Sequence, residues 1–486
     1  MSASKLNVTR LPVHLGANPR RVIARPFIPG GPSRIRAIVD RVLSLPDERV
    51  STILSTVLSD YRLRHKDIRG TFRQHYAMAT RELDGLPAVG EEQRLLIGAY
   101  FTHEYSLESA ALFNPSIVEH PDQSGMARGT TRFIMSARAC GEGHISSIEF
   151  RTGTIDSEHR VTVDAPPRFA VTARPEEDRL YDKATYILKL VEMAAHNQSA
   201  DPVLERLDAE FTMSDLEAAI EWCRPKHGTV TLYQEMADNM LWLARSNYHL
   251  DFSPDTALSE RVIFPVSENE SRGIEDARFV RFTHPDGRVT YYATYSAYNG
   301  FRVLSQLIET TDFRHFNMIT LNGRCVQNKG MALFPHKIGN DFVMAARLDG
   351  ENIYLLRSEN IHFWNESKVV HGPKHPWEFI QVGNCGSPVE TDEGWLLLTH
   401  GVGPMRQYWI GALLLDLEDP SRVIGELAEP LLVPNENERD GYVPNVLYSC
   451  GAMRHEDHFI IPYAIADTHI AIATVPLSEL LSQLTR

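Results

Sequence analysis

The chain has 486 residues, 43% of them hydrophobic and 23% charged, with a formal net charge of −14 and a pI near 5.8. That is enough for two or three ordinary domains, or one large domain with extensions, and for an ample core. The acidic balance argues against a nucleic-acid backbone or an anionic membrane surface as the main partner, and leaves room for a small anion in a local basic pocket.

Cys140, Cys223, Cys325, Cys385 and Cys450 are scattered, odd in number and without metal-ligand spacing, which suits a reduced, cytoplasmic protein. Met1 to Asn18 carries no apolar stretch of the signal-peptide kind, and no apolar run approaches about 18 residues, so neither a leader nor a transmembrane helix is expected.

Residues 8–30, rich in Pro, Arg and Gly, suggest an extended arm with one edge strand at Val22-Ile-Ala. From Pro32 to Leu107 the apolar residues recur at three- and four-residue steps: Ile35, Ile38, Val39 and Val42, then Ile53, Leu54, Val57 and Leu58, then Leu95, Leu96 and Ile97. This is helical periodicity, broken at Pro46 and Pro87. Strand patterning begins near Leu112, with Thr131-Arg-Phe-Ile-Met-Ser-Ala-Arg the clearest run. A helical insertion interrupts it over about 176–248, with helices expected around Ile187–Met193, around Leu216–Trp222 with Ser214 as N-cap, and around Met236–Ala244.

Strands dominate the rest, and they repeat. Phe113-Asn-Pro-Ser-Ile-Val, Glu275-Asp-Ala-Arg-Phe-Val, Lys329-Gly-Met-Ala-Leu-Phe, Gly386-Ser-Pro-Val-Glu and Pro444-Asn-Val-Leu-Tyr each open a short strand, a turn and a second, apolar strand. The last four recur about every 55 residues; the first gap is longer by the helical insertion and its flanks. Such a period, with about four strands per unit, marks a β-propeller. The expected fold is therefore mainly β: a five-bladed β-propeller over 108–486, preceded by an arm and helical region over 1–107. Stacking the blades would bring Asn114, Asp276, Lys329, Ser387 and Asn445 to one mouth.

The centre of that constellation is Gly273-Ile-Glu-Asp-Ala-Arg278. Neighbours on a regular strand point to opposite faces, so only one of Glu275 and Asp276 is expected to face a central cavity. Convergent groups would be the acids Glu275, Asp276 and Asp467, the bases Arg138, Lys329, Arg347, His400 and Arg406, and the amides Asn114 and Asn445. Inverting glycoside hydrolysis needs two carboxylates about 6.5–9.5 Å apart. An attacking anion such as phosphate dispenses with the base and needs cations instead. One clear acid among several cations therefore favours phosphorolysis, with Glu275, Glu378 and Glu390 the candidates for a missing base. Gly383-Asn-Cys-Gly lacks the strand–helix setting of a phosphate loop, and the twenty histidines show no metal-site spacing.

Gly-Ile-Glu-Asp-Ala-Arg, Lys329-Gly-Met-Ala-Leu-Phe-Pro-His-Lys-Ile, Gly394-Trp-Leu-Leu-Leu-Thr-His-Gly-Val, Gly411-Ala-Leu-Leu-Leu-Asp-Leu-Glu-Asp-Pro and Ala464-Ile-Ala-Asp-Thr together resemble glycoside hydrolase family 130. That family comprises β-mannoside phosphorylases and some β-1,2-mannosidases on a five-bladed propeller, and the resemblance covers about residues 110–480. It implies that Asp276 is the general acid, acting through a sugar hydroxyl. It also implies that Asn114, Arg138, Glu275, Lys329 and Asp467 hold the mannose, and that Arg347 and His400 hold phosphate, with Arg406 and Tyr408 assisting. Ala277 departs from a common proline, and Gln381 from a lysine found in many phosphorylases.

The expected activity is inverting phosphorolysis of a β-mannoside oligosaccharide to α-mannose 1-phosphate. Inorganic phosphate would be the co-substrate, with no cofactor and no metal. An inverting β-1,2-mannosidase and a non-catalytic glycan-binding propeller remain the alternatives. A homo-oligomer contact is expected through the helical additions.

Overall fold

The computed structural model of the chain describes residues 6–175, 179–193, 200–224 and 230–484; Met1–Lys5 and the expected start of the insertion at 176 lie outside them. The protein is mainly β, with two blocks of helices and a further short helix, Leu477–Gln483, after the last strand.

Five antiparallel units carry the strands. The first is Ala111–Glu119, Thr131–Cys140, Ser146–Ile155 and Val161–Val163; the second is Gly273–Thr283, Val289–Tyr298, Val303–Thr310 and His315–Thr320. These two meet at a single parallel bridge, Gly273 to Ser146. The third is Ala332–Leu333, Phe342–Ala346, Ile353–Ser358 and Glu366–His371. The fourth has a split first strand, Gln381–Asn384 and Val389–Thr391, followed by Gly394–Val402, Tyr408–Leu415 and Val423–Glu426. The fifth has Leu447–Tyr448, Met453–His455, His458–Ile465 and His469–Pro476.

Strand Gly394–Val402 shows why these units read as apolar runs. It is buried throughout. Leu396 and Leu398 pack toward Phe459 and Ile461 of the fifth unit, whereas Trp395 and Leu397 pack toward Val343 and Leu355 of the third. Side chains alternate between two covered faces, so Trp-Leu-Leu-Leu needs no polar position. The other units share cores in the same way. Val280 and Phe282 of the second meet Met344 and Leu356 of the third. Ile148 and Phe150 of the first meet Phe279 and Tyr291 of the second. Ile117 and Met135 of the first meet Ile460 and Ile472 of the fifth. Each fully buried side chain of this size contributes about 1.5–3 kcal/mol.

The expected arm divides between two partners. Thr9–Leu15 runs antiparallel to His469–Pro476, pairing Thr9 with Thr474 and Leu15 with Ile470. The last strand would otherwise present unsatisfied backbone groups at a sheet edge, and the start of the chain supplies their partners. Val22–Pro26 pairs with Thr102–Ser106. Between them lie helices Pro32–Leu43, Asp47–Tyr61, Ile68–Thr80 and Glu91–Tyr100. The third was not signalled by periodicity, because its buried face, Ile68, Phe72, His75 and Ala79, mixes a histidine and an alanine with two large apolar residues.

The insertion holds helices Lys183–Glu192, Asp201–Glu205, Met213–Cys223 and Val230–Arg245. Ser214 does not cap the third of these. Thr212 does: its hydroxyl accepts from the Asp215 amide at 3.2 Å, and the Asp215 carboxylate accepts from the Thr212 amide at 2.8 Å. The insertion docks on the second unit through buried Lys189, whose Nζ donates to the Thr320 carbonyl at 2.9 Å and to Asn247 Oδ1 at 3.0 Å. No helix among the described residues is long and apolar enough to cross a membrane, and all five cysteines are free thiols.

Candidate active site

Two matching bulges build the site. In the second unit Glu275 pairs with Ser296 and Arg278 with Thr294, so three steps on one strand answer two on the other. In the first unit Phe113 pairs with Arg138 and Ser116 with Ser136, the same mismatch. The residues in the bulges, Asp276 at φ 55° and Asn114 at φ 50°, take left-handed backbone, which aspartate and asparagine tolerate better than most. Strict alternation thereby fails, and the expectation that only one of Glu275 and Asp276 faces the cavity is corrected: both reach the same cation. Arg138 donates from one terminal nitrogen to Glu275 Oε1 at 2.8 Å, and the other lies 3.6 Å from Asp276 Oδ1.

Asn114 Nδ2 donates to Asp276 Oδ1 at 2.7 Å, across 162 positions of sequence. Lys329 Nζ donates to Glu275 Oε2 at 2.5 Å. Arg138 is held by a donation to Ser146 Oγ at 2.9 Å, and its guanidinium lies 4.9 Å from the Phe113 ring centre. Burial alone would raise the Asp276 pKa, but the charges of Arg138, Arg278 and Lys329 and the Asn114 hydrogen bond outweigh it and hold the carboxyl below its usual value. Asp467, at φ 51° in the turn between the fifth unit's last two strands, goes the other way. Burial, then the neighbouring Asp276 charge, push it up to about 6, against the pull of Arg138 and Arg406.

Arg278 joins this half of the site to the other. It is fully buried and donates three times: to the Asp276 carbonyl at 2.9 Å, to the Cys385 carbonyl at 3.0 Å and to the Tyr448 hydroxyl at 2.8 Å. The Tyr448 ring lies 4.9 Å from the His400 ring, centre to centre. Arg347 donates from a terminal nitrogen to His400 Nε2 at 3.4 Å, and Tyr408 stacks on His400 with centroids 5.9 Å apart. Gly383 leaves the room: a Cβ there would come within 2.4 Å of Arg347 Cδ and 2.6 Å of His400 Cε1. Asn384 closes the circuit by donating to the Gly330 carbonyl, next to Lys329, at 2.7 Å.

His400, counted among the cations above, is not one in this state. Burial, then the nearby Arg347 and Arg278 charges, hold its pKa well below the histidine range. It is a neutral hydrogen-bonding group beside a guanidinium. Arg347 Nε and His400 Nδ1 are buried and without a protein partner. Arg406 lies on an exposed loop at φ 57°, its guanidinium 6.0 Å from the Tyr408 ring and its charge felt by Asp467.

Asn445 and Ser387 are only half-buried. Asn445 meets Tyr408 through its backbone, accepting the tyrosine amide at 3.0 Å, and the Ser387 hydroxyl has no partner. The candidate bases are committed elsewhere. Both Glu275 oxygens bind cations. Glu378 caps its own turn, accepting from the Lys374 amide at 2.7 Å and the His375 amide at 3.1 Å. Glu390 pairs with His336 at 3.0 Å on a strand position opposite Trp395, away from His400. Sequence reasoning missed Arg278 as the connector and Gly383 as the spacer. The signals were present in Asp-Ala-Arg and Gly-Asn-Cys-Gly, but the first takes its meaning from Cys385 and Tyr448, more than a hundred positions away, and the second from Arg347 and His400 on other strands.

The family model described as beta-1,4-mannooligosaccharide phosphorylase matches residues 234–486. A 1,2-beta-oligomannan phosphorylase of Thermoanaerobacter sp. (strain X514) is 33% identical over 231 residues, 46% of this chain and 75% of that one. A beta-1,2-mannobiose phosphorylase of Listeria innocua is 31% identical over 46% of this chain and 63% of its own length. A beta-1,4-mannooligosaccharide phosphorylase of Ruminococcus albus is 28% identical over 49% and 72%. The solved Listeria innocua beta-1,2-mannobiose phosphorylase–beta-1,2-mannobiose complex covers 78% of this chain and 93% of its own, at 22% identity and a TM-score of 0.45. Asn114 and Arg138 lie outside the family match, yet they touch the acids inside it.

Proposed function

The chain belongs to glycoside hydrolase family 130, the family of the β-mannoside phosphorylases, and on that footing we propose that it cleaves β-mannosides by phosphorolysis with inversion, releasing α-mannose 1-phosphate. β-1,2-Linked manno-oligosaccharides are the favoured substrates, in line with what the Thermoanaerobacter and Listeria relatives are named for. The fold that goes with this is a five-bladed propeller; its support is that each of the five units shares a core with two others, the first with the fifth included.

The observation that carries the reaction type is the pairing of one buried carboxyl, Asp276, with an Arg347–His400 pair whose Nε and Nδ1 have no protein partner. A phosphate bound beside this pair would supply acceptors for such donors, and a buried donor without a partner costs about 1–3 kcal/mol until it finds one. The phosphate attacks C1 of the mannose from the face opposite the leaving sugar. The C1–O bond breaks, and the departing oxygen receives the Asp276 proton relayed through a mannose hydroxyl. Asn114, Arg138, Glu275, Lys329 and Asp467 hold the ring, with Arg406 and Tyr408 at the phosphate side. The incoming anion also raises the pKa of nearby Asp276, because a second negative charge disfavours its ionised form. The acid is thus loaded as the nucleophile arrives. No cofactor enters the scheme, and the free thiols suit a cytoplasmic setting.

Asp467 supports a second reading, since a second carboxyl beside Asp276 could activate water in an inverting β-1,2-mannosidase. Incubation with a panel of β-mannosides, with and without phosphate, separates them. Mannose 1-phosphate formed only with phosphate is the expected result; free mannose at the same rate in both arms would establish hydrolysis. Absence of any turnover with glycan binding retained would leave a binding propeller.

A further inference from the structure

The strand ends remote from Asp276 carry a cluster that the mannoside chemistry does not use. In the first unit Thr131 pairs with Ile155, at the opposite end of the sheet from the Phe113–Arg138 pair. The loop that follows Ile155 holds His159. In the fifth unit Met453–His455 turns back into His458–Ile465 at the corresponding end, through Glu456 and Asp457. The two turns meet at the seam between the first and last units. His159 Nε2 lies 3.2 Å from Asp457 Oδ1, and His458 Nδ1 lies 2.9 Å from the same oxygen. The two imidazoles stack with centroids 3.6 Å apart, and one donor atom from each of the three residues falls within 4.8 Å of the others.

We propose that His159, Asp457 and His458 bind one divalent transition-metal ion of the zinc type, and that the bound ion ties the first unit to the fifth. Around a tetrahedral ion with metal–nitrogen and metal–oxygen bonds of about 2.0–2.2 Å, donor atoms stand about 3.3 Å apart. The two distances to Asp457 Oδ1 are close to that edge. Two imidazole nitrogens and one carboxylate select zinc and its neighbours over calcium or magnesium, which favour all-oxygen shells.

The surroundings hold the donors in place. The His455 ring is fixed by contacts of 3.1 Å to Thr131 Oγ1 and 3.0 Å to the Asp156 carbonyl, and it packs edge-on against His159 at 5.6 Å. The turn carrying His159 is pinned by Asp156 Oδ1, which accepts from the Glu158 amide at 2.9 Å and the Arg160 amide at 3.0 Å. His159 itself sits at φ 59°, in the left-handed region. With three protein ligands a fourth position stays open to water, but no carboxyl or nucleophile of the mannoside site lies at this end, so the ion's role is to link the two units.

The test compares the full chain with Asp457→Ala/His458→Ala. Both are stripped with chelator, dialysed against zinc chloride and then zinc-free buffer, and assayed for zinc content and thermal midpoint. The wild type is expected to retain about one equivalent more zinc than the variant, to unfold at a higher temperature with zinc, and to lose that gain with chelator. The variant should bind zinc more weakly by more than the roughly 10–100-fold that loss of an outer partner costs. Equal zinc content and an equal zinc-induced shift in both proteins would overturn the proposal, and so would a wild type that retains none. Should the double variant fail to fold, Asp457→Ala decides, because that side chain is 80% exposed. The readouts do not depend on mannoside turnover, so this proposal and the phosphorylase assignment can fail separately.

Discussion

At the scale of single residues, left-handed backbone at Asp276 and Asn114 frees two side chains from the alternation of their strands. Asp276→Asn keeps the shape and the Asn114 contact but removes the proton. The expected result is a fall in kcat of about 10²–10⁴-fold with KM within a few-fold of wild type; an unchanged kcat would take Asp276 out of the chemistry. Asp467 makes a pH-dependent prediction. Folded, it keeps its proton up to about pH 6, whereas an unfolded aspartate releases it near 3.8. Between those values the folded state holds more protons, so stability falls as pH rises from about 4 to 6 and stays lower above. Asp467→Asn should therefore be more stable to urea at pH 7.5, by about 1–2 kcal/mol of unfolding free energy, with little difference from wild type at pH 4, while turnover drops. A variant less stable than wild type at pH 7.5 would refute this.

At the scale of elements, Gly383 shows how a strand makes space for chemistry on its neighbours. Gly383→Ala would drive a methyl into Arg347 and His400. The expected consequence is a KM for phosphate raised at least about tenfold, with the KM for mannoside nearly unchanged, since displacing one charge-assisted contact costs about 1.5–3 kcal/mol. A uniform loss in both substrates would point to a general collapse instead. The insertion offers a cleaner test of local structure. Thr212→Ala removes the hydroxyl half of the reciprocal cap, leaving the backbone amide's bond to Asp215, and should cost about 1 kcal/mol, whereas Ser214→Ala, inside the helix, should cost little or nothing. Chemical denaturation of the two variants separates them.

At the scale of the whole molecule, the start of the chain completes the last sheet, and removal of residues 1–15 is expected to expose the edge of His469–Pro476. Lowered solubility and a reduced thermal midpoint would follow; an unaffected midpoint would mean that the pairing contributes nothing. Much of this architecture was legible because the units repeat: Trp395 to Leu398 is apolar at every position only because both faces are covered, and that signal recurs in each unit. Asn114, Arg138, Glu275, Asp276 and Lys329 were legible as a group because they begin or end equivalent strands. What was not legible depended on exceptions to periodicity. The bulges that turn Glu275 and Asp276 the same way leave no mark in a window of alternating residues. Thr9–Leu15 pairs across more than 450 positions, and His159 and Asp457 are almost 300 apart. The neutral state of His400 comes from burial beside Arg347, which residue type alone cannot convey.

The most direct test of the central claim is the configuration of the first-formed product. Purified protein is mixed with β-1,2-mannobiose and inorganic phosphate, and proton and phosphorus NMR spectra are collected before appreciable mutarotation. The proposed mechanism, with Asp276 protonating the leaving oxygen and phosphate at the Arg347–His400 pair attacking C1 from the opposite face, predicts α-mannose 1-phosphate from the earliest spectrum, equimolar with free mannose. Free mannose as the only product, or a β-configured phosphate ester, would contradict it.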